Sequence, residues 1–191
     1  MSEKALHLPA RRSIRLRSMD YSQPGAYFVT ICAFLKQSLF GRVESGLVDL
    51  SPIGEIVRSC WVDIPNHLPG VKADTFVVMP NHVHGILAIE ERARRAVPLR
   101  DEERFEAFRK AVPGSVPTIV RNYKAAVTKL VRDTTGNRAM QVWQSNYFER
   151  ALRNGDELAN ASRYIQENVA MWHLEKHKPY GDGAMWHPDN P

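Results

Sequence analysis

Runs of apolar residues in the first ninety positions are typical of strands. Residues 26–34 (AYFVTICAF) predict a central, buried strand. Residues 39–43 and 47–50 lie on either side of Ser45-Gly46 and predict a hairpin. A further strand is predicted at residues 73–79, which end in the apolar run FVVM.

Apolar residues at helical spacing predict three helices. Ser51 is a favourable N-cap, and Pro52 suits the first helical position, so the first helix begins there. The second helix is predicted at about residues 115–132. The third begins after Asn154, with Glu157 in the capping-box position. Its core stripe consists of Leu158, Ala161, Ile165, Val169 and Trp172.

The remaining stretches have weaker patterns. Residues 91–114 are dense in charges of both signs and predict an excursion from the core. Residues 142–144 predict a short edge strand, and residues 147–154 are expected to lead into the last helix.

Two histidines follow the turn signal at Pro80-Asn81. In an extended strand His82, His84 and Ile86 share one face. The two imidazoles then lie about 7 Å apart along the strand, close enough to converge on one metal ion or one phosphate. An isolated pair of this kind is more often two structural histidines on a half-buried strand.

A second pair of polar side chains lies on the last helix. Tyr164 and Asn168 are four residues apart, about 100° around the helix from the core stripe. That position at the rim of the core lets both face a neighbouring strand. Taken alone, Tyr164 is more simply explained as a partly buried packing residue.

Composition and charge favour one basic globular domain. The chain has 191 residues, of which 43% are hydrophobic, and a formal net charge of +5. This length suits a single core, and the charge favours an anionic partner without establishing one. Residues 1–20 form a polar arm containing RRSIRLR, either a solvated tail or a clamp on a phosphate backbone. No stretch predicts a leader peptide or a membrane span, so a cytoplasmic protein is expected.

The segment VVMPNHVHG at residues 77–85 resembles the central motif of the HUH single-strand endonucleases, and specifically that of the REP-associated tyrosine transposases. The resemblance covers most of the chain in order and spacing. Further matching positions are the arginine-rich arm with Tyr21, residues 25–31, Leu39-Phe40-Gly41, the helix ending at Trp61, Lys124, Trp143-Gln144, Tyr147-x-x-Arg150 and Tyr164-Ile165-x-x-Asn168. The chain departs from its relatives at Val169, where they usually have proline, and in the length of residues 91–114.

The resemblance implies an α+β fold, namely one ferredoxin-like (RRM-like) domain with an antiparallel sheet and helices packed on one face. The histidine strand would be central, and the Tyr164 helix would cross it. The domain would span residues 21–175, between the basic arm (1–20) and a C-terminal tail (176–191).

The resemblance also implies metal-assisted cutting and rejoining of single-stranded DNA. His82 and His84 would hold Mg²⁺ or Mn²⁺, with Asn168 as a third ligand. Tyr164 would attack phosphorus and form a 5′-phosphotyrosine intermediate, which keeps the phosphodiester energy for rejoining.

The implied partner is single-stranded or hairpin DNA, bound by cations and aromatic stacking. Tyr147 or Trp143 would stack on bases, and we favour a monomer over a homodimer with exchanged helices. The phosphate-binding candidates are Arg11, Arg12, Arg15, Arg17, Lys124, Arg150 and Arg153.

Two other functions are compatible with the pattern. A domesticated protein of the same fold would bind DNA hairpins without turnover, although His82, His84 and Tyr164 are all present. A histidine-motif nucleotide hydrolase also uses His-x-His after a strand, but that class typically has a third histidine where this chain has Ile86.

Overall fold

A computed structural model of the chain describes residues 23–90 and 114–175. The basic arm with Arg11, Arg12, Arg15 and Arg17, the charged stretch at 91–113 and the tail at 176–191 lie outside the described residues. The elements are β1 (Gly25–Cys32), β2 (Gly41–Glu44), β3 (Leu47–Leu50), α1 (Pro52–Val62), α2 (Ile64–His67), β4 (Val71–Met79), β5 (His82–Ile89), α3 (Val116–Thr135), β6 (Phe148–Leu152) and α4 (Gly155–Glu175). A single 3₁₀ turn, Phe34–Lys36, follows β1.

Four strands form one antiparallel sheet in the order β4-β5-β1-β6. With α1 between β1 and β4 and α3 between β5 and β6, this is the β-α-β-β-α-β arrangement of the ferredoxin-like fold. The predicted fold class is confirmed. The strands β2 and β3 form a separate hairpin, whose turn residues Ser45 and Gly46 have φ angles of 51° and 75°.

The helices lie on both faces of the sheet. On one face α1 and α3 cover a large apolar core, in which Trp61 and Tyr123 pack edge to face with ring centroids 5.3 Å apart. On the other face α4 covers a smaller cluster of Phe28, Ile86, Leu152, Ala161 and Ile165. The prediction that the helices pack on one face is correct for α1 and α3 and wrong for α4. Successive side chains of a strand point to opposite faces, and the apolar stripe of α4 meets those of β1 and β5 that point away from α1 and α3.

The edge strand next to β1 differs from the sequence prediction. It is β6, whose Phe148 pairs with Thr30 and whose Leu152 pairs with Ala26. The predicted strand at 142–144 is reduced to one isolated bridge between Ala33 and Trp143. Glutamate, arginine, alanine and leucine in FERAL favour a helix by intrinsic propensity, and pairing with β1 overrides that preference.

The predicted helix starts are confirmed. Ser51 Oγ accepts a hydrogen bond from Gly54 N at 3.0 Å at the start of α1. Asn154 Oδ1 accepts from Glu157 N at 2.9 Å at the start of α4. These caps hold the first turns of two helices that contact opposite faces of the sheet.

Candidate active site

The pairing of β1 with β5 positions the two histidines at the α4 face of the sheet. Cys32 pairs with His82, and Thr30 pairs with His84. Because the histidines are two residues apart in one strand, both rings project from the same face. Their ring centroids lie 4.3 Å apart.

Thr30 and Phe28 on β1 fix the orientation of His84. The Thr30 hydroxyl oxygen lies 2.8 Å from His84 Nδ1, at hydrogen-bond distance. The imidazole also stacks on the Phe28 ring, with centroids 5.3 Å apart, and is only 2% exposed. When Nδ1 carries the proton and donates to Thr30, Nε2 keeps its lone pair for a ligand.

His82 is held in the same way by the turn before the strand. Its Nδ1 lies 2.6 Å from Asn81 Oδ1, and in the tautomer that donates this hydrogen bond Nε2 carries the lone pair. Among the described residues, His82 Nε2 has no hydrogen-bond partner although it is buried. A buried nitrogen without a partner costs about 1–3 kcal/mol, so a ligand is its simplest explanation.

Asn168 on α4 faces the same site. It is 1% exposed, and neither its amide nitrogen nor its amide oxygen has a hydrogen-bond partner among the described residues. The amide is close enough to His82 to raise the pKa of that imidazole, yet no hydrogen bond of ordinary geometry joins them. Three buried polar atoms without partners therefore belong to one imidazole and one amide that lie side by side.

Burial keeps both imidazoles neutral. It is the main reason that the pKa of His82 falls from 6.5 to about 3, with the positive charge of Lys36 as the second cause. Burial also lowers the pKa of His84 well below 6.5, followed by the charge of His82. Neutral imidazole is the form that binds metal ions, so the two nitrogens are ready to act as ligands without losing a proton.

Tyr164 lies one helical turn before Asn168 and contacts His84. Its ring is half-buried, with centroids 5.3 Å from His84 and 6.0 Å from Phe28. Further along α4, the Trp172 ring lies 6.1 Å from that of His82. The helix thus brings a phenol, an amide and an indole of the same chain over the histidine pair.

The predicted DNA-binding residues on β6 lie close to this face. Arg150 pairs with Phe28, so it projects on the same face as His84, and its guanidinium lies 3.8 Å from Glu157 Oε1. Arg153 is exposed just beyond the strand. The Tyr147 hydroxyl donates a 2.5 Å hydrogen bond to Glu149 Oε2.

Lys124 and Trp143 have structural contacts away from the histidines. The Lys124 ammonium donates hydrogen bonds to the carbonyl oxygens of Gln144 and Ser145, at 2.5 and 3.1 Å. Burial lowers the pKa of Lys124, and its role as a phosphate contact stays a prediction. The ring centroids of Trp143 and Phe40 lie 5.0 Å apart in the larger core. This position of Trp143 does not favour stacking on a base.

One relative establishes the family of this chain. An uncharacterized protein of Haemophilus influenzae (strain Rd) is 36% identical over 167 residues, which cover 87% of this chain and 92% of the relative. The chain belongs to that protein's family. No family model matches the sequence.

Solved structures extend the comparison at the level of the fold. A REP-associated tyrosine transposase bound to a REP hairpin superposes with a TM-score of 0.51 and 15% identity, covering 94% of this chain and 95% of the transposase. A candidate transposase from Deinococcus radiodurans R1 gives a TM-score of 0.44 and 12% identity, covering 86% of this chain and 100% of that protein. The first likeness shows that this chain shares the fold of that transposase.

The donor set suits a metal ion with few protein ligands. Within residues 23–90 and 114–175, no cluster of three histidine, cysteine or acidic side chains is arranged to hold a metal. Two imidazoles and an amide oxygen nevertheless give three neutral donors, which fits a divalent ion that keeps several waters. In the same two stretches, no helix is long and apolar enough to cross a membrane.

Several residues that orient the site were missed in the sequence. The alternation of β1 could have placed Thr30 on the histidine face, because Phe28, Thr30 and Cys32 are alternate residues of one strand. The contact between Asn81 and His82 depends on the turn geometry, which spacing alone does not supply.

Proposed function

We propose that the chain is a metal-dependent enzyme that nicks and rejoins single-stranded DNA, of the REP-associated tyrosine transposase type. The observation that carries the proposal is the group of buried polar atoms on His82 and Asn168 that have no partner among the described residues, together with the Tyr164 ring against His84. A purely structural pair of histidines would be expected to have its buried nitrogens satisfied.

The metal ligands in this proposal are His82 Nε2, His84 Nε2 and Asn168 Oδ1. Mg²⁺ and Mn²⁺ suit such a set, because both accept neutral donors together with waters and phosphate oxygens. A bound ion would polarise the scissile phosphate as a Lewis acid. Asn81 and Thr30 hold the two rings so that the donor nitrogens face the site.

Tyr164 is the proposed nucleophile. Its phenolic oxygen attacks phosphorus, the bond from phosphorus to the 3′ oxygen breaks, and the phenolic proton ends on the released 3′ hydroxyl. The downstream strand stays attached to Tyr164 through its 5′ phosphate. Attack by the free 3′ hydroxyl of a strand reverses the step, so rejoining needs no external energy source.

The proposed substrate is single-stranded DNA next to a hairpin. The transposase of the same fold binds a REP hairpin, and this chain has a formal net charge of +5. Arg150 and Arg153 are proposed to contact phosphates near the site, with Tyr147 stacking on a base. Lys124 and the arginines of the arm would bind phosphates further away. A chromosomal target of this kind would be met in the cytoplasm.

The direct test is cleavage of hairpin oligonucleotides from the DNA that flanks the gene, with Mg²⁺ or Mn²⁺ present. Label at the 3′ end should move with the denatured protein, because the downstream strand is attached, and label at the 5′ end should appear in a free fragment. Tyr164→Phe should abolish both products. Tyr27→Phe, on the opposite face of the sheet, is the matched control and should keep the covalent product.

Other results would contradict this function. Tight hairpin binding without cleavage under either metal would favour a domesticated binding protein. Nucleotide hydrolysis that survives Tyr164→Phe would favour a histidine-motif hydrolase. Against that class stands Ile86, which is buried under α4 at the position where those hydrolases typically have a third histidine. Because Tyr164 contacts His84 of its own chain, we propose a monomer. Cleavage recovered by mixing His84→Ala with Tyr164→Phe protein would contradict that proposal.

A further inference from the structure

Each histidine of the site has a hydrogen-bonding side chain at Nδ1 and an aromatic ring beside it. For His84 the ring is that of Phe28, with centroids 5.3 Å apart and an interplanar angle of 28°. For His82 it is the indole of Trp172, with centroids 6.1 Å apart and an angle of 37°. The two imidazoles are therefore held by the same combination of one polar and one aromatic contact.

The indole matters more for His82, because this histidine lies at the end of a strand. His82 is the first residue of β5, directly after the turn, yet it is only 4% exposed. The contact with Asn81 Oδ1 fixes one ring atom, and a ring held at one atom can still tilt about that contact. A second contact is needed to fix the direction of Nε2, and the Trp172 ring supplies one.

Trp172 also belongs to the helix that carries the third proposed ligand. It is buried one helical turn after Asn168, so the two side chains share a face of α4. His82 and Asn168 lie on different elements, so the distance between their donor atoms depends on how this part of α4 is seated on the sheet. The contact between Trp172 and His82 joins the helix to the strand beside those atoms.

We propose that Trp172 is a positioning residue of the metal site, whose indole fixes the plane of the His82 ring and the distance from His82 Nε2 to Asn168 Oδ1. The proposal rests on the metal site of the function proposed above. The indole itself has only an N–H donor, so it cannot be a ligand. Without it both donors remain, but an ion must first fix their orientation, which weakens metal binding more than it slows the chemistry.

Matched variants separate this role from ordinary packing. Trp172→Leu keeps an apolar side chain and removes the ring, and Trp172→Met does the same if the first variant does not fold. Trp172→Phe keeps a ring. Leu152→Ala weakens the smaller cluster under α4. Leu152 pairs with Ala26, six residues or about 20 Å along β1 from Cys32, the partner of His82.

Two quantities are measured on each variant. Calorimetric titration of the DNA-free protein gives the affinity for Mn²⁺, which should fall about 10–100-fold in Trp172→Leu, the range for losing a group that orients a metal ligand. The rate of covalent product formation at saturating hairpin DNA is then measured against Mn²⁺ concentration. The half-saturating concentration should rise by a similar factor, with the maximal rate within about threefold of wild type.

The controls should behave differently. Trp172→Phe should stay within about threefold of wild type in both quantities, because a ring remains beside His82. Leu152→Ala should do so because its change is remote from the donors, although it lowers the midpoint of urea denaturation. If either control weakens Mn²⁺ binding as much as Trp172→Leu, the ring contact is not the cause and the proposal is wrong.

The remaining outcomes distinguish this proposal from the function on which it rests. If Trp172→Leu, or Trp172→Met in its place, binds Mn²⁺ with wild-type affinity, Trp172 has no positioning role and the nuclease proposal stands. If wild type binds Mn²⁺ but forms no covalent product, the nuclease proposal fails, and the titrations still decide the role of Trp172. If wild type binds no Mn²⁺, both proposals fail.

Discussion

At the scale of single residues, the site depends on two imidazoles kept neutral inside the protein. Burial holds the folded-state pKa of His82 and of His84 below the ordinary value of 6.5. Thr30 lies at hydrogen-bond distance from Nδ1 of His84 and Asn81 from Nδ1 of His82, and the two Nε2 atoms are the proposed ligands. The same burial that prepares these ligands makes the folded state sensitive to acid.

We predict that the metal-free protein loses stability as the pH falls from 6.5 towards 3. In this window the unfolded histidines bind protons and the folded ones do not, so the free energy of unfolding decreases as the pH falls. Each histidine contributes up to about 1.4 kcal/mol per pH unit. Urea denaturation between pH 7.5 and 5 in the presence of a chelator measures the slope.

Matched variants assign that slope to the site. A His82→Gln, His84→Gln double variant should lose stability less steeply with acid than wild type. If the free energy of unfolding falls equally steeply with pH in wild type and in the double variant, the buried histidines are not the cause of the slope. If the double variant does not fold, His84→Gln alone should remove part of the slope.

The residues with the proposed roles were named through the family resemblance, and simple spacing explains how each pair comes to share a face. His82 and His84 alternate in a strand, and Tyr164 and Asn168 are one turn apart in a helix. The positive φ angles of Leu35 and Lys36 could not be predicted, because nothing in the local sequence, which lacks glycine or asparagine at 35 and 36, indicates them.

At the scale of elements, a glycine lets the histidine strand, β5, pack closely against α1. A Cβ atom at Gly85 would lie 2.2 Å from the nearest Trp61 ring atom, so β5 approaches the indole more closely than any other residue would allow. Gly85 separates His84 from Ile86, the two residues that face α4. The close packing of Gly85 against Trp61 therefore fixes the position of β5, and with it how deeply the histidines on its opposite face are buried.

Gly85→Ala should destabilise the protein by about 1–3 kcal/mol, because the new methyl group overlaps a fully buried ring. The loss should be smaller in a Trp61→Phe background, where the ring is smaller. Urea denaturation of the four proteins in this cycle measures the coupling. Gly155→Ala is the control, since nothing lies within 4 Å of its Cβ. An equal loss in both backgrounds would show that the overlap with Trp61 is not responsible.

The element that sequence patterns failed to predict is β6. Its five residues, FERAL, lack the alternation and the β-branched residues that marked the other strands. It is a strand because the free edge of β1 supplies a partner from Ala26 to Thr30. Propensity acts over a few residues, whereas this pairing joins segments that are more than a hundred residues apart.

At the scale of the whole molecule, the two faces of the sheet have different tasks. The α1 and α3 face holds the larger apolar core, with Trp61, Tyr123 and Trp143. The α4 face holds the smaller cluster and all the residues of the proposed site chemistry. The fold was predicted through the resemblance to a known family, which rests on the histidine motif and on the order of the matching segments. The division between the faces was not, because periodicity identifies an apolar stripe and does not say which side of the sheet it covers.

The most direct measurement identifies the residue that carries DNA after reaction. Wild-type protein is incubated with Mn²⁺ and hairpin DNA, denatured, digested with nuclease and protease, and examined by mass spectrometry. The proposed mechanism predicts a nucleotide joined through its 5′ phosphate to the peptide that contains Tyr164. A nucleotide on another residue such as Tyr147, or cleaved DNA without any nucleotide on the protein, would contradict it.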